Sequence, residues 1–159
     1  MRSLGRSFGR GSIGSAMDLH TVGYQGRTLP QFVKLLRDQG ITLLVDVRER
    51  PVSRKRGFSA LPLSEALRKA GIGYESDRQL GNPDNIRELW KYGSLDEGRA
   101  RYRKLLRNGR KARISTLLDL AKDERVCILC FEADPDLCHR TVIAEEAVRL
   151  EPDLTIHQL

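Results

Sequence analysis

One stretch of the sequence, residues 126–150, constrains the fold more than any other. Val126–Phe131 is an unbroken run of six apolar residues, which is typical of a strand covered on both faces of a parallel sheet. The polar residues 132–136 that follow are of the types that form turns and begin helices. The spacing beyond them predicts a helix whose apolar residues face inward and whose Glu146 faces mostly water.

A thiol, an imidazole and a guanidinium stand together where this helix is predicted to begin. They belong to Cys138, His139 and Arg140, which are expected in or near the first turn. A helix N-terminus and two basic neighbours predict that the thiol pKa of Cys138 falls from about 8.5 to roughly 3.5–7.5. Such a thiolate can act as a nucleophile. In the alternative, Cys138 packs under the helix, and only His139 and Arg140 have a functional role.

The other apolar runs alternate with helical spacings along the chain. The predicted strands cover residues 20–24, 41–47, 72–74, 126–131 and 154–157. Thr28 and Gln31 form the capping box of the first helix, and two or three helices separate the third strand from the fourth. This alternation predicts an α/β fold, a three-layer sandwich with a mainly parallel sheet of about five strands and Rossmann-like topology.

The same connectivity predicts where a ligand binds. If the first and fourth strands are neighbours, their carboxyl ends flank a topological switch point, which is where open α/β sheets bind ligands. The reactive residues that fall at or just beyond strand ends are Tyr24, Asp46, Arg48, Cys130, Glu132, Cys138, His139 and Arg140.

Length and composition predict a single cytoplasmic domain. Residues 17–159 are expected to form one α/β domain, and residues 1–16, with three arginines and no acid, a disordered basic tail. No run approaches the roughly 18 apolar residues that a membrane span requires. Three cysteines, an odd number, and no secretory segment predict a reducing cytoplasm.

The net charge of +7 and the pI of about 9.7 favour a partner that carries phosphates, either a nucleotide or a nucleic acid. Residues 48–56 hold five basic residues and one acid, and residues 98–118 hold no acid at all. The predicted nucleic-acid contacts are Arg50, Lys55, Arg56, Arg101, Lys104 and Arg107. The alternative for the second stretch is a solvated helix face.

The other candidate residues receive roles from their positions. Arg48, Arg54 and Arg140 are expected to bind an anion, although Arg140 could instead pair with Asp134 or Glu132. Asp46 is either a general base or the residue that orients Arg48. The remaining predictions place His139 and Glu132 with the catalytic group, Tyr24 as a residue that stacks or orients the substrate, and Cys130 among the substrate contacts.

Cys127 and Cys130 form a C-x-x-C pattern, but they lie within a strand that offers no turn for a zinc or redox pair. Cys127 is therefore expected to be a small buried apolar residue. Cys130, Cys138 and His139 could form a metal site, but their spacing in the sequence does not identify a complete set of ligands. We accordingly predict no metal and no cofactor.

The sequence resembles a known family in three segments. They are TVGYQGRTLPQF, LLVDVRERPVSRKRGFS and ILCFEADPDLCHRTVIAEE, which occur in the family's order within residues 21–159. The family is catalogued as "domain of unknown function 488". The resemblance implies an α/β protein and leaves the reaction open. The signature residues it implies are Gly23, Tyr24, Asp46, Arg48, Ser53, Arg54, Cys130, Glu132, Cys138, His139 and Arg140.

A weaker similarity connects the chain to rhodanese-like domains, through the segment DVRE after a buried strand and a cysteine at the end of a later one. The catalytic loop of that family is Cys-x5-Arg, whereas the sixth residue after Cys130 is Asp136. The leading prediction is therefore an enzyme that acts on a phosphate-bearing substrate. The alternative is a nucleic-acid-binding module without catalysis, and rhodanese-like sulfur chemistry comes third.

Overall fold

The computed structural model describes residues 16–159, so all but one residue of the predicted basic tail lie outside the described residues. The strands are β1 (Asp18–Gly23), β2 (Leu43–Asp46), β3 (Gly73–Ser76), β4 (Val126–Cys130) and β5 (Thr155–Gln158). They form one sheet in the order β3-β2-β4-β1-β5, and all four pairings are parallel. This confirms the predicted α/β fold with a parallel sheet of five strands.

Helices cover both faces of the sheet. Within residues 16–159 they are α1 (Leu29–Asp38), α2 (Ala60–Lys69), α3 (Asp84–Tyr92), α4 (Leu95–Gly109), α5 (Lys111–Asp123) and α6 (Arg140–Leu150). Short 3-10 turns occupy Arg78–Leu80 and Pro135–Leu137. The helix ends follow local chemistry. At α1, Thr28 accepts a hydrogen bond from the Gln31 amide, and the Gln31 side chain accepts one from the Thr28 amide, which confirms the capping box.

The alternating residues of the strands divide the core into two apolar clusters. Leu44, Cys127 and Leu129 pack with the buried residues of α1 and α2 on one face. Val45 and Ile128 pack with the buried residues of α3 to α6 on the other. Successive side chains of a strand point to opposite faces, so a strand between two helical layers must be apolar throughout. All five residues of β4 are indeed buried.

The first and fourth strands are neighbours, as the switch-point argument required. β1 pairs with β4 in parallel, with Gly23 opposite Cys130. The chain leaves β1 for α1 on one face, and leaves β4 for α6 on the other. The carboxyl ends of β1 and β4 therefore lie where the two connections diverge, which opens a crevice at that edge of the sheet.

Two burial predictions were wrong. Phe131 was predicted inside the buried strand, but β4 ends at Cys130 and Phe131 is 43% exposed. Glu146 was predicted to face water, but it is buried, because Arg107 of α4 and Arg149 bind its carboxylate at 2.8–3.1 Å. Over residues 16–159 no helix combines the length and the apolar character that spanning a membrane requires.

Candidate active site

A cleft of about 960 Å³ opens at the carboxyl ends of β1, β2 and β4. Six basic and two acidic side chains line it, together with three aromatic residues and Cys130 at the end of β4. The basic residues are Arg48, Arg50, Arg54, Lys55, Arg87 and Lys91, and the acidic residues are Glu49 and Glu132. The crevice predicted from connectivity is thus a basic cleft.

Cys130 is the last residue of β4 and one of the residues that line the cleft. Its Sγ atom lies 2.9 Å from Oε2 of Glu132 and 3.6 Å from Nδ1 of His139. The thiol lies at the edge of the sheet because Cys130 ends the strand, and Glu132, two residues later, contacts that thiol. These two cleft residues and His139 form a compact thiol–carboxyl–imidazole group.

His139 is held in a fixed orientation by residues distant in sequence. Its Nε2 atom lies 2.8 Å from the main-chain oxygen of Val47, just beyond β2. A carbonyl oxygen only accepts hydrogen bonds, so Nε2 carries the proton. The edge of the ring packs against Tyr102, with 5.4 Å between ring centroids. Nδ1 is thereby directed at two sulfur atoms, those of Cys130 at 3.6 Å and Cys138 at 3.8 Å.

Cys138 does not have the environment predicted for it. It follows the 3-10 turn Pro135–Leu137, is 1% exposed, and does not line the cleft. Burial raises the pKa of its thiol well above the usual value, and the neighbouring Cys130 and Glu132 raise it further. The predicted lowering of the Cys138 pKa was therefore wrong, because desolvation and adjacent negative charge outweigh the helix terminus.

The ionisable sulfur is Cys130 instead. Burial opposes its ionisation, but a hydrogen bond with Cys138 and the charge of His139 together lower its pKa well below the usual value. Burial likewise opposes the charging of His139, and the Cys130 charge outweighs it and raises the imidazole pKa. The two groups thus stabilise each other as a thiolate and an imidazolium.

Glu132 carries a proton over a much wider pH range than an ordinary glutamate. Its burial, followed by the negative charge of Cys130, raises the carboxyl pKa to about 7. Such a group can accept or donate a proton near neutral pH, which is a property of general acids and bases. Its position on the cleft wall makes that proton available to a bound molecule.

Asp46 and Arg48 form a buried ion pair, of which Arg48 lines the cleft. Arg48 donates from Nε and Nη2 to the two carboxylate oxygens of Asp46 at 2.8 and 2.6 Å, and Tyr74 donates to the same carboxylate at 2.6 Å. Burial opposes the charge of Arg48, but Asp46 outweighs it and raises the guanidinium pKa. Asp46 is fully buried, so the geometry supports the second predicted role, in which it orients Arg48.

Arg140 is a buried residue whose hydrogen bonds are all made within the protein. Its guanidinium donates to the main-chain oxygens of Glu132 and Ala133, the latter at 3.1 Å, and Nε donates to Thr21 Oγ1 at 3.3 Å. The side chain is 1% exposed and does not line the cleft. These contacts fix the segment that carries Glu132, in place of the predicted anion contact.

Gly23 allows this segment to lie close against β1. A Cβ atom at that position would stand 1.8 Å from the main-chain oxygen of Glu132, a distance that no side chain permits. The next residues continue the contact, since the Gln25 amide donates to the Phe131 oxygen at 2.9 Å. The glycine is therefore needed for the close approach of two main chains.

The aromatic residues of the cleft differ from those expected. One face of Tyr24 is covered by Phe58, with 4.5 Å between ring centroids, and its hydroxyl lies between Arg48 and Ser53 at 3.3 and 3.2 Å. Tyr24 thus orients other residues. Phe131 and Trp90 also line the cleft and were not among the residues predicted from the sequence to do so. The signal for Phe131 was its position immediately after the strand end.

The predicted nucleic-acid contacts fall into two groups. Arg50 and Lys55 line the cleft with Arg54, and Arg56 is exposed on the same loop. The others lie on α4, where glutamates outside residues 98–118 compensate for the absence of acids within that stretch. Arg101 is paired with Glu97 at 2.7 Å and Arg107 with Glu146 at 2.9 Å, whereas Lys104 is exposed beside a shallow cavity of about 410 Å³.

Three polar atoms of the cleft residues are buried without a hydrogen-bond partner among the described residues. They are Asn82 Oδ1, Trp90 Nε1 and Glu49 Oε2. Buried polar atoms are usually paired, and leaving one unpaired costs about 1–3 kcal/mol. Because these atoms are enclosed by protein, a ligand in the cleft reaches them only if the side chains move.

The fold and this site define an α/β protein with an all-parallel five-stranded sheet and a buried Cys-Cys-His group. The chain belongs to the family described as "Domain of unknown function DUF488", whose model matches residues 28–147. No curated protein and no solved structure matches the chain. The family description assigns no activity, so the function must be argued from the site.

Proposed function

We propose that this protein is an enzyme that acts on a nucleotide or nucleic acid in the basic cleft, with the reaction at Cys130, Glu132 and His139. One observation carries the proposal: a single cleft joins six cationic side chains, an exposed aromatic ring and this reactive group. Perturbed pKa values in a cleft are typical of functional sites. Packing alone does not require three ionisable groups at this position.

The cleft offers separate contacts for the parts of such a substrate. Arg54 and Lys91 are exposed and make no ion pair within residues 16–159, so their charges are available to phosphates. Phe131 presents an exposed ring on which a base can stack. Asn82 and Trp90 line the same cleft, so a rotation of either side chain would bring an unpaired polar atom to the polar edges of the substrate. These contacts favour a substrate with both phosphate and aromatic parts.

The alternative is a nucleic-acid-binding module without catalysis. The cations of residues 48–56 support it, but the ion pairs of Arg101 and Arg107 remove part of the basic surface on which it rested. Rhodanese-like sulfur transfer is disfavoured by the carboxyl group of Glu132, which lies 2.9 Å from Cys130 Sγ and would repel a persulfide when ionised. An enzyme accounts for both features of the cleft, its cations and its reactive group.

Binding is tested first, with nucleoside phosphates and with fluorescent single-stranded and duplex oligonucleotides across a salt series. On duplex DNA the salt slope should be roughly −0.9 per phosphate contact, and Arg54→Ala should reduce its magnitude by about that amount. Arg68→Ala, an exposed arginine on α2, is the control and should leave affinity unchanged. Arg56→Ala distinguishes the ligands, since it should weaken only a nucleic acid that extends over the loop. Absence of binding to every probe at moderate salt would refute the proposal.

Catalysis is tested on the ligands that bind. Glu132→Gln should lower turnover roughly 10²- to 10⁴-fold, which is the range for losing a general acid or base, with little change in Kd. Cys127→Ala removes a buried thiol outside the cleft and should retain activity. Tight binding with no chemical change in any bound substrate would favour the non-catalytic module.

A further inference from the structure

We propose that Cys130, Cys138 and His139 bind a zinc ion through Sγ, Sγ and Nδ1, with a fourth coordination position that opens to the cleft beside Glu132. No metal was predicted from the sequence, because the spacing of the residues showed no complete ligand set. The structure supplies what spacing could not, since the three ligand atoms come within 4.8 Å of one another. All three residues are buried.

The two nitrogen–sulfur separations match those of a tetrahedral zinc site. Zinc–sulfur bonds of about 2.3 Å and zinc–nitrogen bonds of about 2.0–2.1 Å at a tetrahedral angle place sulfur and nitrogen about 3.5–3.6 Å apart. The observed distances from His139 Nδ1 are 3.6 Å to Cys130 Sγ and 3.8 Å to Cys138 Sγ. An ion can therefore enter between these atoms with little movement of the side chains.

His139 is oriented as metal-ligating histidines are. Such residues almost always donate their second ring N–H to a carbonyl or carboxylate, which fixes the tautomer and aims the other nitrogen at the metal. Here Nε2 donates to the main-chain oxygen of Val47 at 2.8 Å, and Tyr102 packs against the ring. The hydrogen bond to Val47 therefore leaves Nδ1 as the nitrogen that can coordinate the ion.

The donor atoms of the three ligands favour zinc over other divalent ions. Two thiolates and an imidazole suit zinc, whereas magnesium and calcium require oxygen ligands. Structural zinc sites are closed by four protein ligands, and catalytic ones keep three protein ligands and an open position. Cys130 and His139 line the cleft and Cys138 does not, so the open position is reached from the cleft. This part of the inference rests on the proposed function, because it assigns the open position to the substrate or a water molecule.

The test uses the reduced, metal-free full chain, with zinc and cobalt as the probes. We expect one zinc per chain in competition with a chromophoric chelator, and cobalt absorption bands of a tetrahedral site with thiolate ligands. Cys130→Ala, Cys138→Ala and His139→Gln should each weaken zinc binding more than about 100-fold, because loss of second-shell partners alone costs 10- to 100-fold. Cys127→Ala, which removes the third buried cysteine, is the matched control and should bind zinc as the wild type does.

Two further measurements keep the inference testable if a variant fails to fold. Zinc should raise the Tm of the wild type and a chelator should lower it, since the ion binds only the folded site. Failure of the reduced wild type to take up stoichiometric zinc or cobalt would overturn the inference. So would equal loss of zinc in Cys127→Ala and Cys138→Ala, or a Cys130–Cys138 disulfide as the only state of the pair.

The zinc test and the substrate test can fail separately. Arg54→Ala should abolish a phosphate contact and leave zinc affinity unchanged, because Arg54 is not part of the Cys-Cys-His group. Zinc binding without any nucleotide or oligonucleotide binding would leave the metal site standing and refute the proposed substrate. Substrate binding without zinc uptake would do the reverse.

Discussion

Arg48 binds Asp46 through two side-chain hydrogen bonds, from Nε at 2.8 Å and from Nη2 at 2.6 Å, within the protein interior. Nη1 of Arg48 donates to the main-chain oxygen of Phe58 at 2.7 Å and to the hydroxyl of Tyr24 at 3.3 Å. The carboxylate of Asp46 also accepts from Tyr74. This pair joins the end of β2 to the loop that supplies the cleft with cations.

Replacing Asp46 by asparagine should destabilise the protein by about 3 kcal/mol, because breaking a buried pair leaves the guanidinium of Arg48 buried without its counter-charge. Urea denaturation measures the change. Asp38→Asn breaks the exposed pair of Asp38 with Lys34 and is the control, with an expected loss below about 1 kcal/mol. Equal losses in the two variants would contradict the role assigned to the buried pair.

Glu146 should make the stability of the protein depend on acid pH. Burial opposes its ionisation, but hydrogen bonds from Arg107 and Arg149 outweigh it and lower the carboxyl pKa from 4.5. A group whose folded pKa is lowered stabilises the protein above its unfolded pKa, and this contribution is lost as the pH falls through the folded value. Glu146→Gln should therefore cost about 1.5 kcal/mol at pH 7, and the difference from wild type should shrink below about pH 4.

The control for this prediction is Glu145→Gln. Glu145 precedes Glu146 on α6, is half exposed, and is paired with Arg103 at 2.6 Å. An exposed pair of this kind contributes at most about 1 kcal/mol. Urea denaturation of both variants between pH 3 and pH 7 compares them. A pH-independent difference between wild type and Glu146→Gln would show that the charge of Glu146 does not contribute.

The fold was predictable because its signals are local. Val126–Phe131 indicated the central strand, the Thr28–Gln31 pair marked the start of α1, and the alternation of strands and helices gave a parallel sheet. The position of the cleft followed, since the carboxyl ends of parallel strands meet at one edge of a sheet. Family membership and the α/β architecture are accordingly both confirmed.

The roles of individual side chains were not predictable, because they depend on contacts between distant residues. Which cysteine ionises is decided by the path of residues 131–139 and by the oxygen of Val47, which orients His139 from 92 positions away. The burial of Glu146 depends on Arg107, which lies 39 positions earlier on another helix. A helix-face pattern contains no information on either contact.

Arg140 provides the sharpest contrast between the sequence prediction and the structure. The sequence predicted an anion contact, whereas the guanidinium donates to the main chain at Glu132 and Ala133 and to the hydroxyl of Thr21. Lysine retains the charge but cannot reproduce the planar set of donors that reaches several acceptors at once. Arg140→Lys should therefore destabilise the protein by about 3 kcal/mol, since buried acceptors lose charged donors.

Hydrogen exchange separates the two roles of Arg140. If the side chain fixes the segment after β4, amides within residues 132–138 should exchange faster in Arg140→Lys, while those of α1 should keep their protection. Lys34→Met on α1 removes an exposed charge and should change neither region. If Arg140→Lys instead leaves stability and exchange unchanged and lowers only the affinity for phosphate-bearing ligands, the anion contact predicted from the sequence is the correct role.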